Sequence, residues 1–534
     1  MVDYTKTISP SGNNTIDSII HLYAWESSAL TYGFRVQDID HNGISDFSEG
    51  HWASFYQSIF SNISTFANLK FTQTTYENAR LNQLMNPGGG GQSSDPAPDV
   101  VQTFTEVDID GSVADASAVV FLGQYSDTWM HEIGHSLGLR HSFETPNQID
   151  DNVNSEADLG THYLNSTLYT VMSYSPTVWG EDNPWTDGYD PGTVLNANAG
   201  SYMPLDIAAL QYMYGAHAYN TGNTTYSFGD DKVASKGYTT IWDTGGTDTI
   251  AYTGTSRARI DLDAATLQRD IGGGGLLSTS ETFTGGFLIA NGVVIEKAIG
   301  GSNDDILIGN SAANTLTGNG GNDFLNGGNG ADRLIGGAGD DYYIVANTGD
   351  TVTEASNAGF DQVESTVTFT LGSNVEDLFL RGASAINGTG NSSANYIYGN
   401  DVINSLSGRG GNDHLDGGLG VDFLTGGTGR DTFDFSTTLG SGNVDNITDF
   451  SAAEDYIGLS FDIFTALRST GTLASSKFYQ GSAAHDSSDR IFYNSSTGNI
   501  YYDVDGNGSA AAVLFAHVAT GLTLTASNFN VWDV

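Results

Sequence analysis

The chain has 534 residues, of which 63 are acidic and 18 basic, giving a net charge of −45 and a pI of about 4.1. That balance argues against nucleic acid or an anionic membrane as a partner. It leaves a heavily solvated surface, or carboxylates that await divalent cations. The absence of cysteine excludes disulfide staples and thiolate metal ligands.

Length allows about two to four domains. Sixty-eight glycines against nine prolines, without a collagen-like triplet, exclude an ordinary enzyme composition throughout. No apolar run reaches the ~18 residues of a membrane helix, so no membrane insertion is expected. The first ten residues lack the charged-then-apolar pattern of a signal peptide, and residues 1–15 read as a short leader or propeptide.

From Asp17 the chain reads as mixed α and β. Ala29 to Phe34 alternates as a strand, His51 to Leu69 has helical spacing, and Phe71 opens another strand. Between them, Asp38 to Glu49 fits D-x-D-x-N-G-x5-E, a calcium loop with oxygens from Asp38, Asp40, Asn42, the Ile44 carbonyl, Asp46 and Glu49. Ser45 stands where such loops usually carry an apolar residue, and the upstream flank is strand-like. A plain acidic surface loop is the alternative. Gly88 to Gly91 opens a flexible excursion, and residues 117–122 are a short apolar strand.

His131-Glu132-Ile133-Gly134-His135-Ser136-Leu137-Gly138-Leu139-Arg140-His141 fits H-E-x-x-H-x-x-G-x-x-H. Four residues apart on a helix, His131 and His135 project from one face. Gly138 tolerates the backbone angles at which a helix ends, so the chain can return His141 as a third ligand. Three protein ligands leave an open fourth position, the mark of a catalytic zinc. Glu132, beside the first ligand, is placed to take a proton from water there. Gly134-His135-Ser136-Leu137-Gly138 is also a G-x-S-x-G string, the nucleophile elbow of lipases and esterases. No apolar strand precedes it, as that elbow requires.

Some thirty residues on, Met172 is placed for a tight methionine turn under the zinc, and Tyr174 follows. Pro204 to Gly215 reads as a helix with proline at its start and glycine at its end.

After Trp242 the chain turns Gly/Asp-rich and helix-poor. Glycine recurs every nine residues from 300 to 336 and again from 390 to 426. The best copies, from Gly336 and Gly426, match G-G-x-G-x-D-x-U-x. Position six is Asp at Asp305, Asp323, Asp332, Asp341, Asp413, Asp422 and Asp431, and Asn at 314, 395 and 404. Asp oxygens and turn carbonyls suit calcium. The later turns of each block are therefore expected to bind best. Position eight is large and apolar and should point inward: Leu307, Leu316, Leu325, Leu334, Tyr343, Ile397, Leu406, Leu415, Leu424 and Phe433. Residues 345–389 are expected to continue the same parallel solenoid without calcium turns. Ordinary alternation returns after Asp434. Asp503 to Gly508 reads as a further calcium loop or a β-turn.

With these motifs in place, the chain resembles the serralysins, secreted bacterial zinc metalloproteases of the metzincin class with a calcium β-roll. The resemblance runs from about Asp17 to the C-terminus. It implies an α+β metzincin catalytic domain (16–240), an all-β parallel β-roll or β-solenoid (241–440) and a β-sandwich-like C-terminal secretion domain (441–534). It implies one catalytic zinc on His131, His135 and His141, with Tyr174 as a resting ligand that swings away to stabilise the oxyanion. Glu132 would be the general base and Met172 the floor of the site. It implies several structural calcium ions, including a site at Asp243, Gly245 and Asp248 with Gly222, Thr224 and Glu296.

Polypeptide substrates, type I-like secretion without an N-terminal signal, a proteinaceous inhibitor and a monomeric state follow from the same likeness. The Asp38 loop looks like an insertion, the 88–98 stretch obscures the substrate-edge strand, and Asp533 interrupts the apolar tail of the secretion signal. Two other classes compete with the protease: a calcium-dependent serine lipase or esterase, and a non-catalytic adhesin or surface-layer protein.

Overall fold

In the computed structural model, the described residues are nearly all of 201–533, short breaks at 231–236, 269–272, 282–284 and 468 excepted. Before 201 they comprise 49–73, six further strand segments between 5 and 36 and between 81 and 108, most of the 130–142 stretch, 168–173, the short strands Val178–Trp179 and Thr193–Val194, and a few isolated positions. Contacts divide the chain into two units, Met1–Ala298 and Ile299–Val534.

The first unit contains a five-stranded sheet in the order Lys70–Gln73, Ala29–Val36, Leu81–Asn86, Thr105–Asp108, Gly90–Gln92. All neighbours are parallel except the last pair. Helix α1 (Glu49–Phe66) connects the parallel strands Ala29–Val36 and Lys70–Gln73. Its buried residues Ile59, Phe60, Ile63 and Phe66 recur at helical spacing, and Phe60 stacks on Phe71 at 4.4 Å.

Helix α2 (Pro204–Tyr214) is buried nearly all round, as a core helix is. Pro204 opens it, where a missing N–H costs nothing. Asp206 caps it by accepting the Met203 N–H at 3.0 Å. Gly215 ends it at φ +88, a conformation that a side chain would strain. The C-terminal ends of the two helices are tied together, with Asn68 N–H donating to Gly215 O and Gln211 Nε2 donating to Phe66 O. Past α2, short strands pair within the same unit: Thr225–Phe228 with Thr249–Tyr252, and Tyr238–Ile241 with Gly286–Ile289, both parallel.

The second unit is a parallel solenoid. Short strands alternate between two faces, and strands on one face recur every 18 residues through the repeats, so two nonapeptides make one coil. Position eight of every copy is fully buried. On one face these residues form a single register ladder: Leu307, Leu325, Tyr343, Val363, Leu378, Ile397, Leu415, Phe433, Ile457 and Phe529. The ladder passes without a break through 345–389, where the nonapeptide pattern is absent. Turn glycines are required where coils meet: a Cβ on Gly339 would overlap Gly321 O, at a φ of +131.

The C-terminal strands join these same two sheets. Phe529–Trp532 pairs parallel with Tyr456–Ser460, and Val513–His517 with Asp445–Ile447. The hairpins Ile491–Asn494/Asn499–Tyr502 and Asn499–Tyr502/Val513–His517 are antiparallel. The described residues are thus mostly β with few helices, and no helix among them is long and apolar enough to cross a membrane.

Candidate metal centres

His131 lies in a helical stretch with Met130, Ile133 and Gly134, which then breaks as Leu137 and Leu139 N–H groups return to the Gly134 carbonyl. Glu132, His135, Gly138, His141 and Tyr174 lie outside the described residues, as do Asp38, Asp40, Asn42 and Asp46; Glu49 is the first residue of α1.

His131 is buried, and its Nδ1 stands 2.7 Å from Val171 O. A carbonyl only accepts, so Nδ1 carries the proton and Nε2 the lone pair. That is the tautomer a metal-binding imidazole needs.

Val171 is itself fixed. Its N–H donates to Asp206 Oδ2 at 2.8 Å, and Thr170 Oγ1 donates to Asp206 Oδ1 at 2.5 Å. Met172 N–H donates back to Thr170 Oγ1. Burial raises the Asp206 carboxyl to about 7, against the pull of its hydrogen bonds from Thr170, Val171 and Met203. Met172 is fully buried, and its Sδ lies 2.8 Å from where a Cβ on Gly134 would stand. The methionine turn therefore packs directly on the histidine segment, with glycine leaving the room. Tyr202 and Tyr214 hydroxyls hold that segment from the α2 side, donating to Met130 O and Leu137 O.

The residues implied at 222–296 also converge. Thr224 N–H donates to Asp248 Oδ1 and Asp248 N–H to Glu296 Oε2, both at 2.7 Å. Gly245 N–H and Tyr226 OH donate to Asp243. A Cβ on Gly246 would stand 2.6 Å from Gly222 O. Burial is the main cause that raises Asp248 above its usual range, and Asp243 and Glu296 add to it.

The solenoid builds one repeated rung. The position-six carboxylate accepts, through Oδ1, the N–H of the position-six residue one coil earlier: Asp323 from Asp305, Asp332 from Asn314, Asp341 from Asp323, Asp413 from Asn395, Asp422 from Asn404 and Asp431 from Asp413, at 2.7–3.0 Å. The second oxygen separates the copies. Asn314, Asn395 and Asn404 turn Oδ1 onto their own turn's N–H, and Asp305 does so with Oδ2. In Asp323, Asp332, Asp341, Asp413, Asp422 and Asp431, Oδ2 is buried with no hydrogen-bond donor. A buried bare carboxylate oxygen is costly unless a cation or proton meets it. Burial accordingly raises Asp323 to about 8, Asp341 and Asp413 to about 7, and Asp332 and Asp422 to about 6. These six oxygens lie in the later turns of each block, and their chemistry fits a hard divalent ion.

Sequence reading missed part of this ladder. Asp350, Asp361, Asp445 and Asp455 accept the N–H of Asp332, Asp341, Asp422 and Asp431, although none sits in a nonapeptide. The available signal was an acidic residue 18 to 24 positions after a position-six Asp, followed by a strand. Asp206 was also missed, though an acid two residues after a helix-opening proline is a capping signal.

Parts of the chain match known proteins. The model of the family described as peptidase M10 serralysin C terminal matches residues 205–529. A serralysin of Photorhabdus sp. (strain Az29) is 34% identical over 331 residues, 56% of this chain and 63% of its own length. A serralysin of Photorhabdus laumondii is 36% identical over 206 residues, covering 36% and 38% of the two chains. The metallopeptidase AprA of Pseudomonas marginalis is 36% identical over 198 residues, covering 35% and 37%. The chain thus spans between about two fifths and just under two thirds of the length of these relatives. The solved structure of myroilysin aligns with 36% of this chain at 16% identity and a TM-score of 0.22, too slight a likeness to define the fold. Because the family match takes in more than half of the residues, this chain belongs to the peptidase M10 serralysin C-terminal family.

Proposed function

We propose that the protein is a secreted zinc endopeptidase whose α+β metzincin domain is followed by a calcium-stabilised roll. The observation that carries the reading is His131, buried and held through Nδ1 by Val171 O as a metal-binding imidazole is, in the segment on which the buried Met172 packs at Gly134. His131, His135 and His141 would hold zinc, with Tyr174 beside them. Zinc supplies an electrophile that acidifies water and polarises a peptide carbonyl. Glu132 takes the water proton and passes it to the leaving amine. Tyr174 donates to the oxygen that gains charge.

Calcium would sit on the bare Oδ2 atoms of the roll, supported by the burial of those carboxylates, and at Asp243, Asp248 and Glu296, supported by the convergence of these residues and the burial of the two Asp side chains. Extracellular protein substrates, type I-like export and a proteinaceous inhibitor belong to the same reading and rest on the family.

Metal analysis paired with casein hydrolysis tests it. Wild type should carry one zinc and lose activity to a chelator, not to a serine-directed phosphonate. Glu132→Gln should keep the zinc and lose about 10²–10⁴-fold in rate. Unchanged hydrolysis by Glu132→Gln removes the assignment.

A further inference from the structure

Between the two repeat blocks the rung pattern stretches. Through the repeats, the N–H of a position-six residue meets a carboxylate 18 residues on; at Asp341 the partner is Asp361, 20 residues on. The turn that closes this longer coil runs from 354 to 361, Glu-Ala-Ser-Asn-Ala-Gly-Phe-Asp. It takes the place of a G-G-x-G-x-D turn with two residues more. Gly339 N–H donates to Ala358 O as Gly321 N–H donates to Ala338 O. Gly359 lies against Gly339 O as Gly339 lies against Gly321 O, and a Cβ on either would overlap that carbonyl.

The extra length brings in an acid that no nonapeptide has. Glu354 heads the turn, and the N–H groups of Gly337 and Ala355 face its carboxylate. Asp341, Glu354 and Asp361 each offer an oxygen, and these lie within 4.8 Å of one another. Asp341 Oδ2, Glu354 Oε1 and Asp361 Oδ2 are all buried without a donor. The three residues are 1%, 9% and 0% exposed, and among the described residues no basic side chain pairs with any of them. Burial, then mutual repulsion, raises Glu354 to about 7. Oxygens bound to one calcium at about 2.4 Å can stand up to about 4.8 Å apart, whereas the shorter bonds of magnesium span about 4 Å.

We propose that Asp341, Glu354 and Asp361 form a three-carboxylate calcium site at the end of the first repeat block, with Glu354 as the ligand that sets it apart from the nonapeptide sites. The proposal rests on the reading that the roll binds calcium. A third carboxylate raises the ligand charge, so this site fills before the two-carboxylate rungs.

Calorimetric titration of the full chelator-stripped chain with calcium chloride tests it, using wild type, Glu354→Gln and, as a nonapeptide control, Asp413→Asn. Glu354→Gln should lose one of the tightest sites or weaken it at least tenfold. Its calcium-free thermal midpoint should rise, because a buried charge has gone. If wild type takes up no calcium, the roll reading itself fails. If Asp413→Asn loses a site and Glu354→Gln titrates like wild type, the roll reading stands and this proposal is overturned. Should Glu354→Gln not fold, Glu354→Asp is titrated in its place. A tenfold weaker tight site then supports the proposal, and a wild-type titration overturns it.

Discussion

Asp206 binds three donors with one buried side chain. It accepts from Thr170 Oγ1, Val171 N–H and Met203 N–H, and so joins the start of α2 to the turn that holds His131. Replacing it with Ala leaves those donors buried and unmet, at about 1 kcal/mol or more each. Asp206→Ala should therefore lose about 2–4 kcal/mol of stability. It should also release zinc faster on dialysis, since the Val171 carbonyl is no longer held. Wild-type zinc retention would remove Asp206 from the support of the site. His131 and Met172 were legible because their offsets are fixed by a helix and a turn. Asp206 was not singled out, because its role depends on a contact across some 35 residues of chain, which no local pattern encodes.

Among elements, the apolar ladder is the most informative. Its nonapeptide members could be read directly, because glycine spacing set the register and position eight followed. Val363 and Leu378 occupy the same ladder inside 345–389, where glycine spacing gives no guide and the coil length changes. There the sequence indicated strands but not which acids would serve the rungs. Each rung also couples its coil to the next, so a hole is felt by both neighbours. Leu415, between Ile397 and Phe433, is fully buried, and Leu415→Ala should cost about 2–5 kcal/mol. A denaturant midpoint measured in calcium checks this; a loss under about 1 kcal/mol would mean that the coil collapses to fill the space. The helices were equally readable: the expected segments 51–69 and 204–215 correspond to Glu49–Phe66 and Pro204–Tyr214. The calcium loop expected from Asp38 to Glu49 lies outside the described residues except for Glu49, which is the start of α1.

For the whole molecule, composition and structure meet in the response to pH. The net charge of −45 concentrates cost where carboxylates are buried. Asp323, Asp341 and Asp413 are raised to about 7 or 8 in the metal-free fold, against a usual value near 4 in an unfolded chain. Between those limits the folded state holds more protons than the unfolded state, so stability falls as pH rises. In chelator, the thermal midpoint should be higher near pH 5 than near pH 8. Saturating calcium should abolish that fall, because calcium takes the place of the protons. Calorimetry at several pH values reads this directly, and a chelated midpoint that climbs from pH 5 to 8 would contradict it.

Every rung points the same way, from a carboxylate on the later coil to an amide on the earlier one. The stack therefore has a polarity that its repeated sequence conceals. A cut between coils exposes two unlike faces. At the rungs, the fragment toward the N-terminus ends in bare position-six amides, and the fragment toward the C-terminus in bare carboxylates. At the rung positions, two N-terminal faces would set amide against amide, and two C-terminal faces carboxylate against carboxylate. Coils from separate molecules therefore satisfy the rungs when they stack head to tail, and leave them unmet when they meet as a symmetric pair.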